Sequence, residues 1–273
     1  LPGLYFKHKF LQALWMAGFY LFAPNPFLGY DKSMKNLWYW LSQKLAYSLT
    51  KRYADSVCIT SEPDIKYFQS PRLTNKDIFV MKGGLDYGHL KQFQKGGRKI
   101  YDAVYLGRFH PQKGVLEMID IWNEVIKRKP GAKLAIIGLG ALETQMKQKV
   151  YDYKIGNNVF FMGAKLDDDR NRILQQSRAI LHPAVYDSGG MAAATGLACG
   201  LPGVCFDLPV FKTYYPTGFL KAKIGDIEDF AEKIVSLLEN KELYLKMRRE
   251  AITQAKEWDW QVRLGPLIGR LLG

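Results

Sequence analysis

Three short stretches carry residue types that could do chemistry. Gly107-Arg108-Phe109-His110-Pro111-Gln112-Lys113-Gly114 sets two cations and a histidine between glycines. Arg and Lys beside a helix amino terminus make an anion site, because the first amides of a helix lack internal acceptors and carry partial positive charge. Arg108 suits a phosphate gripped through two parallel hydrogen bonds, and Lys113 adds a point charge. Taken alone, the pair could equally be two solvated cations. The second stretch is His182-Pro-Ala-Val-Tyr-Asp187-Ser188-Gly189-Gly190-Met191-Ala-Ala-Ala-Thr195. Its Asp187-Ser-Gly-Gly190 segment, at the head of an alanine-rich run, offers a second cradle of amides. The third is Gly138-Leu139-Gly140. A turn explains it, although glycine also lets backbone approach a ring or a phosphate.

Tyr186-Asp-Ser-Gly-Gly190 also echoes the surroundings of a serine protease nucleophile. That echo is of trypsin-like serine proteases, and such a reading needs a double β-barrel and a His/Asp pair. The four histidines (His8, His89, His110, His182) carry no such context. His110 and His182 could touch a ligand, and a structural role suits them equally.

The elements that must position these stretches are legible from periodicity. Ala103–Leu106, Leu134–Ile137, Val159–Met162, Ala179–Leu181 and Gly203–Phe206 are short apolar runs and predict strands. Val115, Met118, Ile119, Trp122, Val125 and Ile126 recur at helical spacing between the first two. Helical stretches run on to Tyr153 and to Gln176, span Met191–Cys199, and close the chain at Ile227–Leu238 and Leu243–Trp258. Strands separated by helices of this length make a doubly wound parallel sheet, covered on both faces. Ligands of such sheets lie beyond the carboxyl ends of the strands, where all three stretches fall.

Upstream, the segments 53–60 and 77–81 each hold a predicted strand. The polar, glycine-bearing Lys95-Gly-Gly-Arg98 places a boundary near residue 97. The expected division is 1–97, a reduced or partial first domain; 98–256, the sheet domain; and 257–273, a terminal helix packing back on the first part.

Composition narrows the class. The 273 residues carry 39 Lys/Arg against 26 Asp/Glu, a net charge of +13, and 48% are hydrophobic. A disordered or collagen-like chain is excluded. The three cysteines (Cys58, Cys199, Cys205) form no Cys-x-x-Cys and fit a reducing compartment, hence a cytoplasmic location, without structural zinc. Cys199 and Cys205 are most simply buried small hydrophobes. The nearly apolar run Phe10–Ala23 is too short to span a bilayer, which needs roughly 18 residues or more. It predicts a core or interfacial helix. Residues 1–52 hold seven Lys/Arg, one acid (Asp31) and 13 of the 37 aromatics. This suits an anionic lipid surface or, with equal weight, a core helix with solvated lysines. Nucleic acid is not the expected partner.

These residues resemble the carboxyl-terminal domain of retaining glycosyltransferases of family 4, of the GT-B fold. The likeness rests on Leu106–Gly114, Leu134–Gly140, Asn158–Gly163, Ala198-Cys-Gly-Leu-Pro202 and the closing Glu257-Trp-Asp-Trp260. Ser61 and Gly83-Gly-Leu-Asp86 resemble the end of that family's first domain. The resemblance implies a GT-B-like fold: a Rossmann-like, doubly wound donor domain with a second, incomplete α/β acceptor domain. It implies that Arg108 and Lys113 hold the donor's diphosphate, with Gly107, Gly138, Gly140, Ser188, Gly189, Gly190 and Met191 lining the donor. The family places a glutamate near the transferred sugar and another eight positions on, at the ribose. Here Asp187, the candidate catalytic residue, and Thr195 stand there; Thr195 offers one hydrogen bond where a carboxylate offers two. The family's early glycine-rich loop and histidine have no visible counterpart before residue 53.

The implied function is transfer of a hexose from a nucleotide-diphosphate sugar to a carbohydrate or lipid-linked acceptor, with retention and without a metal or other cofactor. The basic, aromatic residues 1–52 are what suggest a lipid-linked or membrane-presented acceptor, and a peripheral position on a membrane's cytoplasmic face. The alternatives are a non-catalytic glycosyltransferase-like binding subunit, or a related GT-B enzyme such as an epimerase or phosphorylase.

Overall fold

The computed structural model describes residues 34–54, 56–59, 65–75, 77–80, 83–187 and 189–265, with backbone alone at 34–40, 42, 43 and 58. The expectation for Phe10–Ala23 lies outside the described residues, as does Ser61. The chain divides between Lys82 and Gly83 into two compact units.

In the first unit, helix α1 (Met34–Tyr53) leads into strand β1 (Val57–Ile59). A short helix α2 (Ile65–Phe68) follows, and strand β2 (Ile78–Val80) pairs in parallel with β1, Val57 opposite Ile78. Ala54, Val57, Ile59, Phe68, Leu73 and Ile78 bury a small core. Both expected strands are present.

The second unit opens with helix α3 (Tyr87–Leu90), whose first turn is capped by the Asp86 carboxylate accepting from the His89 amide at 2.8 Å. Then come β3 (Tyr101–Leu106), α4 (Val115–Arg128), β4 (Leu134–Ile137), α5 (Glu143–Asp152), β5 (Val159–Gly163), α6 (Asp167–Gln175) and β6 (Ser177–His182). They are followed by α7 (Met191–Ala198), β7 (Gly203–Phe206), α8 (Pro209–Tyr214), β8 (Phe219–Ala222), α9 (Ile227–Glu239) and α10 (Lys241–Lys256). The six strands run parallel in the order β5-β4-β3-β6-β7-β8. β8 was not legible from periodicity, because Lys221 interrupts its apolar run.

Side chains alternate across this sheet as strand geometry demands. Ala103, Tyr105, Val204 and Phe206 face a layer that includes Met118, Trp122, Phe230 and Ile234. Val104, Ile180 and Cys205 face the other layer, with Ala194, Leu197, Ala251 and Trp258. Cys199 and Cys205 are buried and free, and burial pushes both thiols up to about 12.

The domain boundary expected at residue 97 is corrected. Residues 83–97 pack on the sheet unit: the Gln94 amide donates to the Ala198 carbonyl at 2.8 Å, and Arg248 donates to the Gln94 carbonyl at 2.7 Å. Lys95–Arg98 is an exposed turn within the unit, and exposure of a turn does not require a hinge. Leu85 donates to the Trp258 carbonyl at 2.8 Å and accepts from the Trp260 amide at 3.1 Å. Residues 257–265 thereby run beside the unit's opening segment, and 266–273 lie outside the described residues.

Candidate functional site

Strand order reverses between β3 and β6. β4 and β5 add on one side of β3, and β6, β7 and β8 on the other. In a doubly wound sheet this switch point opens a crevice at the carboxyl ends of the two central strands. Leu106 and His182 end those strands, so the loops 107–114 and 183–190 emerge side by side. They are stitched together: the Gln112 carbonyl accepts from the Val185 and Tyr186 amides, at 3.1 and 3.3 Å. Gly114 completes the fit. Its φ is +61°, and an added Cβ would lie 1.9 Å from the Pro183 carbonyl oxygen. The third stretch joins from β4. A Cβ on Gly138 would lie 1.9 Å from the Gly107 carbonyl oxygen, and one on Gly140 would lie 2.4 Å from the Phe109 carbonyl oxygen. The Gly107 amide donates to Ile137 and that of Phe109 to Leu139.

Within this crevice Lys113 and Asp187 meet. Lys113 Nζ is 2.6 Å from Asp187 Oδ2, and His182 Nε2 is 3.0 Å from the same oxygen. Asp187 Oδ1 accepts from the Gly189 and Gly190 amides at 3.0 and 2.8 Å. Asp187 is only 6% exposed. Burial pushes its carboxyl up, but the hydrogen bonds and charges of His182 and Lys113 outweigh that and hold it well below the usual carboxylate range. Opposite an ionised carboxylate, His182 Nε2 is the donor; its Nδ1 is buried without a partner among the described residues.

The two expected cations are placed differently. Lys113 is drawn inward onto Asp187, whereas Arg108 is exposed and makes no side-chain hydrogen bond or ion pair among the described residues. Tyr105 donates its hydroxyl to the Arg108 carbonyl at 3.1 Å, anchoring that residue's backbone. His110 Nδ1 accepts from the Gln112 amide, and burial, Arg108 and Lys113 lower the pKa of His110 in that order.

Helix α7 starts at Met191 with Gly190 as its cap residue, φ +64°. The amides of Gly189 and Gly190, expected to meet a donor, are engaged by Asp187 in this structure. The first-turn amides that follow, from Met191 to Ala193, have no acceptor within the helix. Thr195 is buried, and its hydroxyl donates back to the Met191 carbonyl at 2.9 Å, so only its lone pairs are left to offer. Ser188 lies outside the described residues. Among the described residues no three His, Cys, Asp or Glu side chains converge as metal ligands would, and no helix is long and apolar enough to cross a membrane.

Sequence reasoning left two contributors unassigned. His182 stood just after the predicted strand Ala179–Leu181 as a residue that could touch a ligand, but nothing in the spacing paired it with Asp187; the observed strand β6 extends to include it. Tyr215, whose hydroxyl reaches the Gly189 and Gly190 carbonyls, carried no signal.

Comparison with known proteins places the fold in a family. Residues 90–258 match the family of glycosyl transferases, group 1. The chain belongs to that family. It is 25% identical over 179 residues to the poly(glycerol-phosphate) alpha-glucosyltransferase of Bacillus subtilis, a match covering 62% of this chain and 26% of that one. It is 27% identical over 171 residues to a GDP-mannose-dependent monoacylated alpha-(1-6)-phosphatidylinositol monomannoside mannosyltransferase of Corynebacterium glutamicum, covering 57% and 42%. The chain thus spans less than half the length of either relative. In fold it is similar to S. aureus TarM crystallised with fondaparinux, alpha-GlcNAc-glycerol and UDP, with a TM-score of 0.72, 17% identity, and coverage of 85% of this chain and 47% of that one. It is similar also to Anabaena HepE crystallised with UDP and glucose, with a TM-score of 0.71, 16% identity, and coverage of 85% and 66%. The sheet unit therefore has the Rossmann-like architecture of a GT-B donor domain.

Proposed function

We propose that the chain is the donor-binding part of a retaining, family-4-type hexosyltransferase that uses a nucleoside-diphosphate sugar. One observation carries this: at the switch point, an exposed Arg108, the Lys113 ammonium and the amino terminus of α7 stand on adjoining loops. Such a constellation suits a diphosphate leaving group. In the proposed reaction the bond from the anomeric carbon to the diphosphate oxygen breaks. The bond to the acceptor oxygen forms on the same face, and the acceptor's proton passes to the departing phosphate. Arg108, Lys113 and the α7 amides meet the charge that develops. No metal enters the proposal. Gly107, Gly138 and Gly140 keep the loops low, giving a nucleotide room to lie over them, and Thr195 offers one acceptor toward a ribose hydroxyl. Asp187 serves from within, holding Lys113 and the turn at Gly189 and Gly190.

The acceptor is proposed to be a carbohydrate or lipid-linked molecule presented at the cytoplasmic face of an anionic membrane. The basic, aromatic residues 1–52 support this, as do relatives named for polyol-phosphate and phosphatidylinositol acceptors. A second reading, a non-catalytic binding subunit, is favoured by one observation: both oxygens of Asp187 are fully engaged by protein groups.

Calorimetric titration of uridine, guanosine and adenosine diphosphates tests the donor site. Saturable binding of one of them, lost in an Arg108→Ala/Lys113→Ala variant, is expected, and transfer can then be assayed with the corresponding sugar donors. Binding without transfer to any acceptor supports the second reading. No binding by the folded protein sinks the nucleotide reading.

A further inference from the structure

The turn that carries Gly189 and Gly190 is held from two sides. Asp187 takes both amide hydrogens. The opposite side belongs to Tyr215, which lies 25 residues beyond Gly190, just past α8. Its hydroxyl is 3.0 Å from the Gly189 carbonyl oxygen and 2.6 Å from that of Gly190. The ring is fully enclosed. It stacks on Trp258 with centroids 5.1 Å apart and planes 8° apart, and meets Phe211 and Phe219 edge-on at 5.6 and 5.4 Å. Its hydroxyl is the ring's one polar atom, and a phenylalanine would fill the same space. The Gly190 carbonyl also accepts from the Ala194 amide at 3.1 Å, so it keeps a partner without Tyr215. The Gly189 carbonyl has Tyr215 as the partner that fixes its direction.

We propose that Tyr215 is a positioning residue: by holding the Gly189 and Gly190 carbonyls from behind, it fixes the orientation in which the turn and the first amides of α7 face the crevice. The geometry stands by itself; the consequence for ligand affinity rests on the proposed donor site. Trp258 braces the ring from the far side. The Arg263 guanidinium lies 3.9 Å from the Trp258 ring centroid, and the Trp258 carbonyl receives the Leu85 amide. Orientation of the turn is therefore tied to the segment where the unit begins and to the one where its described residues end.

Tyr215→Phe removes the hydroxyl and leaves the stack. The expected result is amide hydrogen exchange at residues 189–191 at least about tenfold faster than in the unaltered protein, with exchange in β3 and β7 unchanged. Affinity for the diphosphate that binds should fall about three- to tenfold, and the melting temperature should move little. Exchange at 189–191 within twofold of the unaltered protein overturns the proposal. If the unaltered protein binds no diphosphate while the variant's turn loosens, the donor site fails and the positioning role stands. If binding is present and the turn is unaffected, the reverse holds. A measurement on the unaltered protein guards against a variant that fails to fold: a Tyr215 hydroxyl proton protected from exchange should be visible by NMR, and its absence argues against the proposal.

Discussion

Lys113 Nζ and Asp187 Oδ2 lie 2.6 Å apart although 74 residues separate them in the chain. Each sits on the loop that leaves one of two adjacent strands, so the pair forms only when β3 and β6 lie side by side. The carboxylate is nearly buried and the ammonium partly so. Losing one partner of such a pair is costly, because it strands the other charge.

Asp187→Ala should therefore destabilise the protein by about 3 kcal/mol, read from urea unfolding at neutral pH. The same carboxyl sets an acid dependence. Its folded-state pKa is depressed, so the unfolded chain binds its proton more readily. Its contribution to stability is complete above the unfolded value of about 3.9 and is lost as pH falls toward the lower folded value. Asp187→Asn should flatten the decline in stability below about pH 4. An unaltered acid limb would contradict the assignment.

Arg108 and Lys113 should separate in their effects. Arg108→Ala should lower diphosphate affinity about tenfold or more, since each charge-assisted bond contributes roughly 1.5–3 kcal/mol. Its melting temperature should shift by less than about 2 °C, because the side chain is exposed and, among the described residues, unengaged. Lys113→Ala should lower both affinity and stability. Calorimetry beside thermal melting distinguishes the two patterns.

Gly114→Ala should cost at least about 2 kcal/mol. A left-handed residue with a Cβ is strained, and this Cβ would also collide with the Pro183 carbonyl 1.9 Å away. Gly131→Ala, in open space, is the control: no atom lies within 4 Å of its added Cβ. Equal stability of the two variants would show that the loops can part without penalty.

Flotation with liposomes rich in anionic lipid should recover the protein at low salt. Charge reversal at Lys7, Lys9, Lys32 and Lys35 should abolish recovery, because juxtamembrane cations contribute about 1 kcal/mol each. Retention by neutral liposomes to the same extent would remove the electrostatic part of the membrane proposal.

The sequence made the sheet unit readable because its strands are continuous apolar runs set between amphipathic helices. Val104 and Ile180 needed nothing beyond hydrophobicity to be placed. Phe219–Ala222 escaped because a lysine breaks a four-residue edge strand, leaving no pattern to detect. The boundary near residue 97 misled for a related reason: Lys95–Arg98 has the composition of a linker, and only the Gln94–Ala198 and Arg248–Gln94 hydrogen bonds reveal that it is a surface turn. Site residues on the loops were legible as types, but their partners were not. Periodicity places the carboxyl end of a strand; it does not reveal that Asp187 will spend both oxygens on Lys113, His182 and two glycine amides. Thr195 shows the limit most directly, for its hydroxyl looked available until the Met191 carbonyl claimed it.

The adjacency of β3 and β6 also has a kinetic meaning. Ala103 pairs with Ala179 although the stretch between them contains β4 and β5. Pairings of this kind are slow, because the entropy of closing the loop is lost before the contacts reward it. The crevice therefore exists only once β3 and β6 are paired. A nucleotide that recognises it binds the finished sheet and not its precursors. At a hundredfold excess over its dissociation constant, such a ligand would add about 2.7 kcal/mol to the native state, and it would do so by slowing the separation of these two strands.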